Sequence, residues 1–288
     1  MNPILTSLVY IFVSCSMLIF SKWLFMRFAK YNMYEEIKKG NVTGIIPYLG
    51  FLLGVCAVQI GAFVGPSNTL FRYEILSYIA YSLMGSFLMI FSGYVVEKAI
   101  LHKFNNIDEI VRDRNIGTAA VHFGMYLASG LIISACVTGD TIVAHGRCYG
   151  FISTLVYYVM GMIFLILFAK LYDMLTPYSL LGEIEADNVA VGVAFGGNLI
   201  AIGLILMKAT IGDIGTWQQS MILYFIDLSA IILLLPSVRF LLDRLIVKEI
   251  NITKEIKQNN VAAGLGEALV LIAFALLIFF MVDFVNIM

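Results

Sequence analysis

Eight long apolar runs, each near the length a helix needs to cross a bilayer, decide what this chain can be. Their approximate limits are Pro3–Phe20, Val42–Val64, Ile75–Val96, Ile116–Val137, Cys148–Ala169, Val189–Met207, Trp217–Val238 and Val261–Val282. A ~30 Å hydrocarbon core takes ~20 apolar residues of helix. Only the seventh and eighth runs hold an Asp, Glu, Lys or Arg, namely Asp227 and Glu267. The runs are too long for membrane strands and lack a sustained two-residue alternation. Backbone groups in lipid must also be paired within their own segment. The expected fold is therefore an all-α polytopic membrane protein with eight transmembrane helices. Composition agrees, with 61% hydrophobic and 13% charged residues, against ~45–50% and ~25% in soluble domains. A net charge of −1 gives no basic field for nucleic acid, so the lipid bilayer is the first partner expected. The first run has no basic segment before it, and Lys22 and Arg27 follow it. It is expected to stay as a membrane helix rather than be cleaved as a signal peptide.

The loops alternate between short and long. Those after runs one, three, five and seven hold 15 of the 18 Lys and Arg; Arg72, Arg147 and Lys208 lie on the other side. Cytoplasmic loops collect Lys and Arg. The long loops are thus expected in the cytoplasm and both termini outside.

Each long loop enters its next helix through a similar stretch: "EEIKKGNVTG", "DEIVRDRNIG", "GEIEADNVAV" and "KEIKQNNVAA". The shared asparagines are Asn41, Asn115, Asn188 and Asn260, spaced by 74, 73 and 72 residues. Such a period across four copies marks internal repeats. Each copy carries two crossings, so the copies share one orientation and are parallel, with a pseudo-symmetry axis along the membrane normal. An Asn at a helix start reads as an N-cap, and the Glu upstream suits a short amphipathic segment in the interface. A ring of four amides around a cytoplasmic mouth is the alternative reading. Three even runs place small residues nine and thirteen positions after the Asn: Gly50/Gly54, Gly124/Ala128 and Gly197/Ala201. The fourth has Leu269/Ala273 there. Small residues four apart let helices approach closely. The even helices are therefore expected in a tight central bundle, with the bulkier odd helices outside against lipid.

Paired two-helix units with a Glu-Ile…Asn-Val entry into a Gly-rich helix resemble the bacterial DUF350 membrane family. The resemblance covers nearly the whole chain as two tandem domains, residues 1–144 and 145–288. It implies a multi-pass bacterial inner-membrane protein of uncharacterised activity. It also implies an association with PspA-like envelope-stress proteins, and with ligases resembling glutathionylspermidine synthetase. Other cytoplasmic stress proteins are the related partner class, and a homo-oligomer stays open.

Ionisable groups at membrane depth are costly and mark functional sites. Seven residues after each Asn stand Tyr48, His122, Phe195 and Glu267. Glu267 and Asp227 lie on sequential antiparallel helices, at depths that bring them within about 10 Å along the normal at ~1.5 Å per residue. A carboxylate pair, or a carboxylate with His122, suits cation or proton movement. Asn198 and Gln59 are the packing counterparts, and Lys208 is expected to snorkel outward. Cys15, Cys56, Cys136 and Cys148 show no zinc or haem spacing. Cys136 and Cys148 flank Asp140, His145 and Arg147, where a disulfide is conceivable on an oxidising side. "GVAFGGN" lies in an apolar run after no strand, which excludes a phosphate loop. No metal, cofactor or catalytic constellation is visible, so the chain is not expected to be an enzyme. Transport or permeation is the first reading, and a membrane scaffold or stress sensor is the second.

Overall fold

The computed structural model describes residues 3–65, 70–138, 147–211, 221–222, 224–226, 228–229 and 251–281. Seven helices in these residues are long and apolar enough to cross a membrane. They are α1 (Pro3–Phe28), α3 (Ile46–Val64, entered through a 3-10 turn at Val42–Gly44), α4 (Phe71–Ala99), α6 (Ile116–Thr138), α7 (Arg147–Leu175), α9 (Val189–Thr210) and α11 (Val261–Met281). Among the described residues there is no strand. Most of the seventh apolar run, Asp227 included, lies outside the described residues.

The even helices do not close into a bundle. α3, α6, α9 and α11 stand side by side in chain order, each packed along its length on the next. Among the described residues, α11 makes no comparable contact with α3. The row has two inner members, α6 and α9, and two edges. The glycine stripe makes it tight, because helix backbones touch directly. A Cβ on Gly50 would lie 2.6 Å from the Phe123 Cα, and one on Gly203 would lie 2.6 Å from the Ala128 Cα. One on Gly124 would fall on the Gly196 backbone, one on Gly192 on Gly117, and one on Gly130 on Gly54. Gly197 meets Ala268 in the same way. The position nine after the repeat Asn is thus the face turned to the next helix. In the fourth copy no further helix packs on that face among the described residues, and Leu269 there is 63% exposed.

The odd helices form a second layer over the row. α4 packs against α3 and α6, α7 against α6 and α9, and α1 against α3 and α4. Hydroxyl pairs join neighbours within this layer: Ser14 Oγ to Tyr78 OH at 2.7 Å, Ser21 Oγ to Ser86 Oγ at 2.8 Å, and Ser92 Oγ to Tyr158 OH at 2.9 Å. Between layers, glycines of the odd helices receive even-helix side chains: Gly85 takes Val58, Gly93 takes Tyr126 and Gly161 takes Ile132. Tyr224, in the described part of the seventh run, is buried and sets its ring edge on Tyr157 and Phe164 of α7. α1 ends the odd row and leaves Ile4, Leu8, Ile11, Phe12 and Ile19 exposed, the surface lipid would cover.

Candidate functional site

Each even helix is preceded by a six-residue helix: α2 (Met33–Lys38), α5 (Asn106–Val111), α8 (Leu180–Glu185) and α10 (Ile252–Lys257). Asn32, Asn105, Ser179 and Asn251 cap their N-termini through the side chain. One left-handed residue then reverses the chain: Gly40, Arg114, Asp187 or Asn259, with φ of 68°, 57°, 59° and 61°. The repeat asparagine comes next. Its side-chain oxygen accepts from the backbone N–H of Thr43, Thr118, Val191 or Ala262, two or three residues on. One Nδ2 hydrogen goes to the carboxylate of its own loop's Glu36, Glu109, Glu183 or Glu255, at 2.8–3.1 Å. The other crosses to the next loop: Asn41 to Ile110 O at 3.0 Å, Asn115 to Ile184 O at 2.6 Å and Asn188 to Lys257 O at 3.1 Å. Three amides are thus consumed in capping and in tying loop to loop, in a line that follows the helix row. They do not face a shared mouth. Asn260, with no partner loop among the described residues, stays exposed.

The loop acids differ electrically. Glu36 accepts from Lys39 Nζ at 2.7 Å as well as from Asn41, and these bonds hold its carboxyl below the usual range. Glu109 has no such lysine, and burial pushes its carboxyl up despite the Asn115 bond. A lowered folded-state value adds stability above the ordinary pKa that is lost as pH falls through the folded value. A raised one opposes folding increasingly as pH rises through the ordinary value of about 4.5. Glu36→Gln is therefore expected to lower the melting temperature at pH 7, with the loss shrinking as pH falls below the ordinary value of about 4.5. Glu109→Gln should raise it or leave it level at pH 7, with any gain gone near pH 4. Melting curves of the purified protein across pH 4–8 check both signs.

Three of the positions seven after each Asn meet an odd-helix ring, and the fourth, His122, lines a cavity beside one. Phe25 of α1 lies against Tyr48, ring centroids 5.3 Å apart, and lines a cavity together with His122. Tyr172 of α7 stacks on Phe195 at 5.5 Å and donates its hydroxyl to Glu267 Oε1 at 3.0 Å. Phe25 and Tyr172 are 147 residues apart, as are Asn41 and Asn188, so the rings hold equivalent places in the two halves. Both His122 and Glu267 are 4% exposed. Glu267 has its tyrosine. His122, which shares a cavity wall with Phe25, has a buried Nε2 atom with no hydrogen-bond partner. The cavity beside it measures about 220 Å³ and opens between α1, α4, α5 and α6 near the loop end. Its wall includes Glu97, bonded to Lys30 Nζ at 3.3 Å, and Asn106 of α5. Asn106 donates to Leu101 O at 3.1 Å, and its Oδ1 is buried without a partner.

Of the other sequence candidates, Asn198 is buried within α9 and Lys208 Nζ sits 5.9 Å from the Phe279 ring centre on α11. Asp227, and with it a pairing to Glu267, lies outside the described residues. So do Asp140, His145 and the side chains of Arg147 and Cys148. Cys136 is a free thiol. Gln59 accepts from Tyr78 OH at 3.2 Å. Sequence reasoning missed Tyr172, Phe25, Glu97 and Asn106. The 147-residue register that links Phe25 to Tyr172 was the available signal.

The family model described as "Domain of Unknown Function (DUF350)" matches residues 1–137 and again 148–282. A UPF0719 transmembrane protein from Aquifex aeolicus (strain VF5) is 26% identical over 256 residues, covering 86% of this chain and 89% of that protein. No solved structure matches.

Proposed function

The chain belongs to the DUF350 family, and we propose that this integral membrane protein moves a small cation or proton along the seam between its odd and even layers. The observation that carries this reading is the matched pair His122 and Glu267. Both are ionisable, both are buried, and both hold the same register in the two halves, turned toward an odd helix. A charge-bearing group at membrane depth is costly unless it has a use. The packed glycines leave the even–even interfaces no room for a solute, so the route belongs to the seam. In this reading the protein sits in the bacterial inner membrane, with the loop face in the cytoplasm and both termini outside. The work is passage rather than covalent chemistry, and no cofactor takes part.

Proteoliposomes carrying the full chain should show cation- or proton-driven flux above protein-free vesicles. Glu267→Gln and His122→Phe should each reduce that flux about tenfold, equivalent to ~1.4 kcal/mol of barrier. Flux equal to protein-free vesicles, or unchanged in both variants, would sink the reading.

One observation favours a scaffold as the second reading. The loop-to-loop asparagine bonds fuse four charged loops into one continuous face, a surface on which PspA-like or other cytoplasmic stress proteins could assemble. Absent flux, together with specific capture of a purified PspA-like protein by this face, would select it.

A further inference from the structure

We propose that the cavity between α1, α4, α5 and α6 seats the headgroup of phosphatidylethanolamine, a membrane lipid whose phosphodiester is joined to a primary ammonium. Such a site holds whether or not the protein passes cations.

The cavity lies at headgroup level. α1 ends at Phe28 and α4 at Ala99, and the wall residues Lys30 and Glu97 stand at these ends. A helix that crosses a bilayer ends near the headgroups. Ile90, also in the wall, is seven residues before Glu97 on α4, about 10 Å deeper at ~1.5 Å per residue. The cavity thus runs from a charged boundary inward along apolar surface. Two wall residues are more than half exposed, Phe28 at 58% and Tyr94 at 54%, so it opens at the outer surface of the odd layer. Tyr94 shares an exposed face of α4 with Phe91 and Phe87, three and seven residues before it, as the helical repeat requires. An acyl chain can lie along that face.

The charges choose the headgroup. Lys30 Nζ and Glu97 Oε2 meet at 3.3 Å, and their side chains are 60% and 27% exposed. An exposed pair of this kind is weak, so a ligand that offers each member a better partner can part it. A simple anion would gain Lys30 and meet Glu97. A simple cation would gain Glu97 and meet Lys30. A headgroup with both signs satisfies both, with phosphate on Lys30 and ammonium on Glu97. Lys98 adds a second cation at the same rim, its Nζ 5.3 Å from the Tyr94 ring centre. A primary ammonium donates charge-assisted hydrogen bonds to a carboxylate, whereas a trimethylated one has no N–H to give. Much of the remaining wall is apolar, Phe25, Ile90 and Ile107 among it, and suits glycerol and upper chain carbons better than a soluble zwitterion. The volume of about 220 Å³ equals roughly seven waters at ~30 Å³ each, room for the inner side of one headgroup.

Native mass spectrometry of the delipidated full chain in detergent tests this, with phosphatidylethanolamine, phosphatidylcholine and phosphatidylglycerol of one chain composition added in turn. A saturable adduct is expected with the ethanolamine lipid, and about tenfold weaker binding of the other two. Glu97→Gln should weaken the ethanolamine lipid about tenfold and remove its advantage over the glycerol lipid. Lys30→Met should weaken it by a similar factor. Both side chains reach the surface, so both variants should fold, which thermal unfolding checks; the lipid series on the wild type needs no variant. Gly266→Ala, where an added Cβ meets nothing within 4 Å, should bind as wild type. Glycerophosphoethanolamine, the same head without chains, should bind far more weakly. No saturable adduct, equal binding of the three lipids, equal binding of the chainless head, or wild-type affinity in both variants would overturn the proposal.

Discussion

Gly124→Leu should destabilise the protein strongly. Gly124 lies on α6, the helix that packs on both α3 and α9, and its missing side chain is where the Gly196 backbone of α9 passes. A Cβ alone would fall on main-chain atoms, which cannot rotate out of the way. A leucine must therefore push α6 and α9 apart. That separation also parts Gly117 from Gly192 and Gly203 from Ala128, because all lie along the same seam. Overpacking by a few methylenes usually costs 1–3 kcal/mol. Here backbone stands on both sides and the whole seam opens at once, so the upper end of that range, about 3 kcal/mol or more, is expected. Thermal unfolding and size-exclusion profiles in detergent measure it. Gly266→Ala is the matched control, with open space around the added carbon, and should lie within about 0.5 kcal/mol of wild type. If Gly124→Leu melts like the control, the close row is wrong.

Asn115→Ala should be the most damaging of the four asparagine substitutions. Its amide is 1% exposed and makes three bonds: to Glu109 Oε2 at 2.9 Å, to Ile184 O at 2.6 Å, and from Thr118 N at 2.8 Å. Removal of a cap costs about 1 kcal/mol. A buried carboxylate and a buried carbonyl left without their donor add about 1–3 kcal/mol. A loss of about 2–4 kcal/mol is expected, with α6 and α9 loosening together at the loop end. Asn260→Ala removes the same motif from an exposed edge, where no loop among the described residues accepts the second hydrogen, and should cost below about 1 kcal/mol. Hydrogen exchange of the α5–α6 and α8–α9 segments would show whether the two loops come apart as one unit; equal losses for Asn115 and Asn260 would deny the loop-to-loop bonds their role.

Much of this was legible in the sequence because it is local. A helix cap needs only an oxygen two or three residues before its donor, so the repeat asparagines announced themselves. The stripe of Gly50, Gly54, Gly124, Ala128, Gly197 and Ala201 marked the contact face, since only small side chains let backbones meet. The register that aligns Tyr48, His122, Phe195 and Glu267 also came from counting. Their partners did not. Tyr172 meets Glu267 across 95 residues, and no periodicity within either helix says which odd-helix ring will stand opposite.

The sequence by itself determined a membrane protein of parallel two-helix repeats, because run length, charge placement and a 73-residue period are one-dimensional quantities. The tertiary structure alone decided that the even helices form an open row and not a closed bundle. A small-residue face prescribes how near the next helix comes, and says nothing of the angle at which each successive helix is set. That angle decides whether four helices return on themselves. Here they do not, and the exposed Leu269, where the other copies carry glycine, is the mark of an edge. The same open geometry lays the odd helices along a seam, and so places His122 beside a cavity and Glu267 beside a tyrosine.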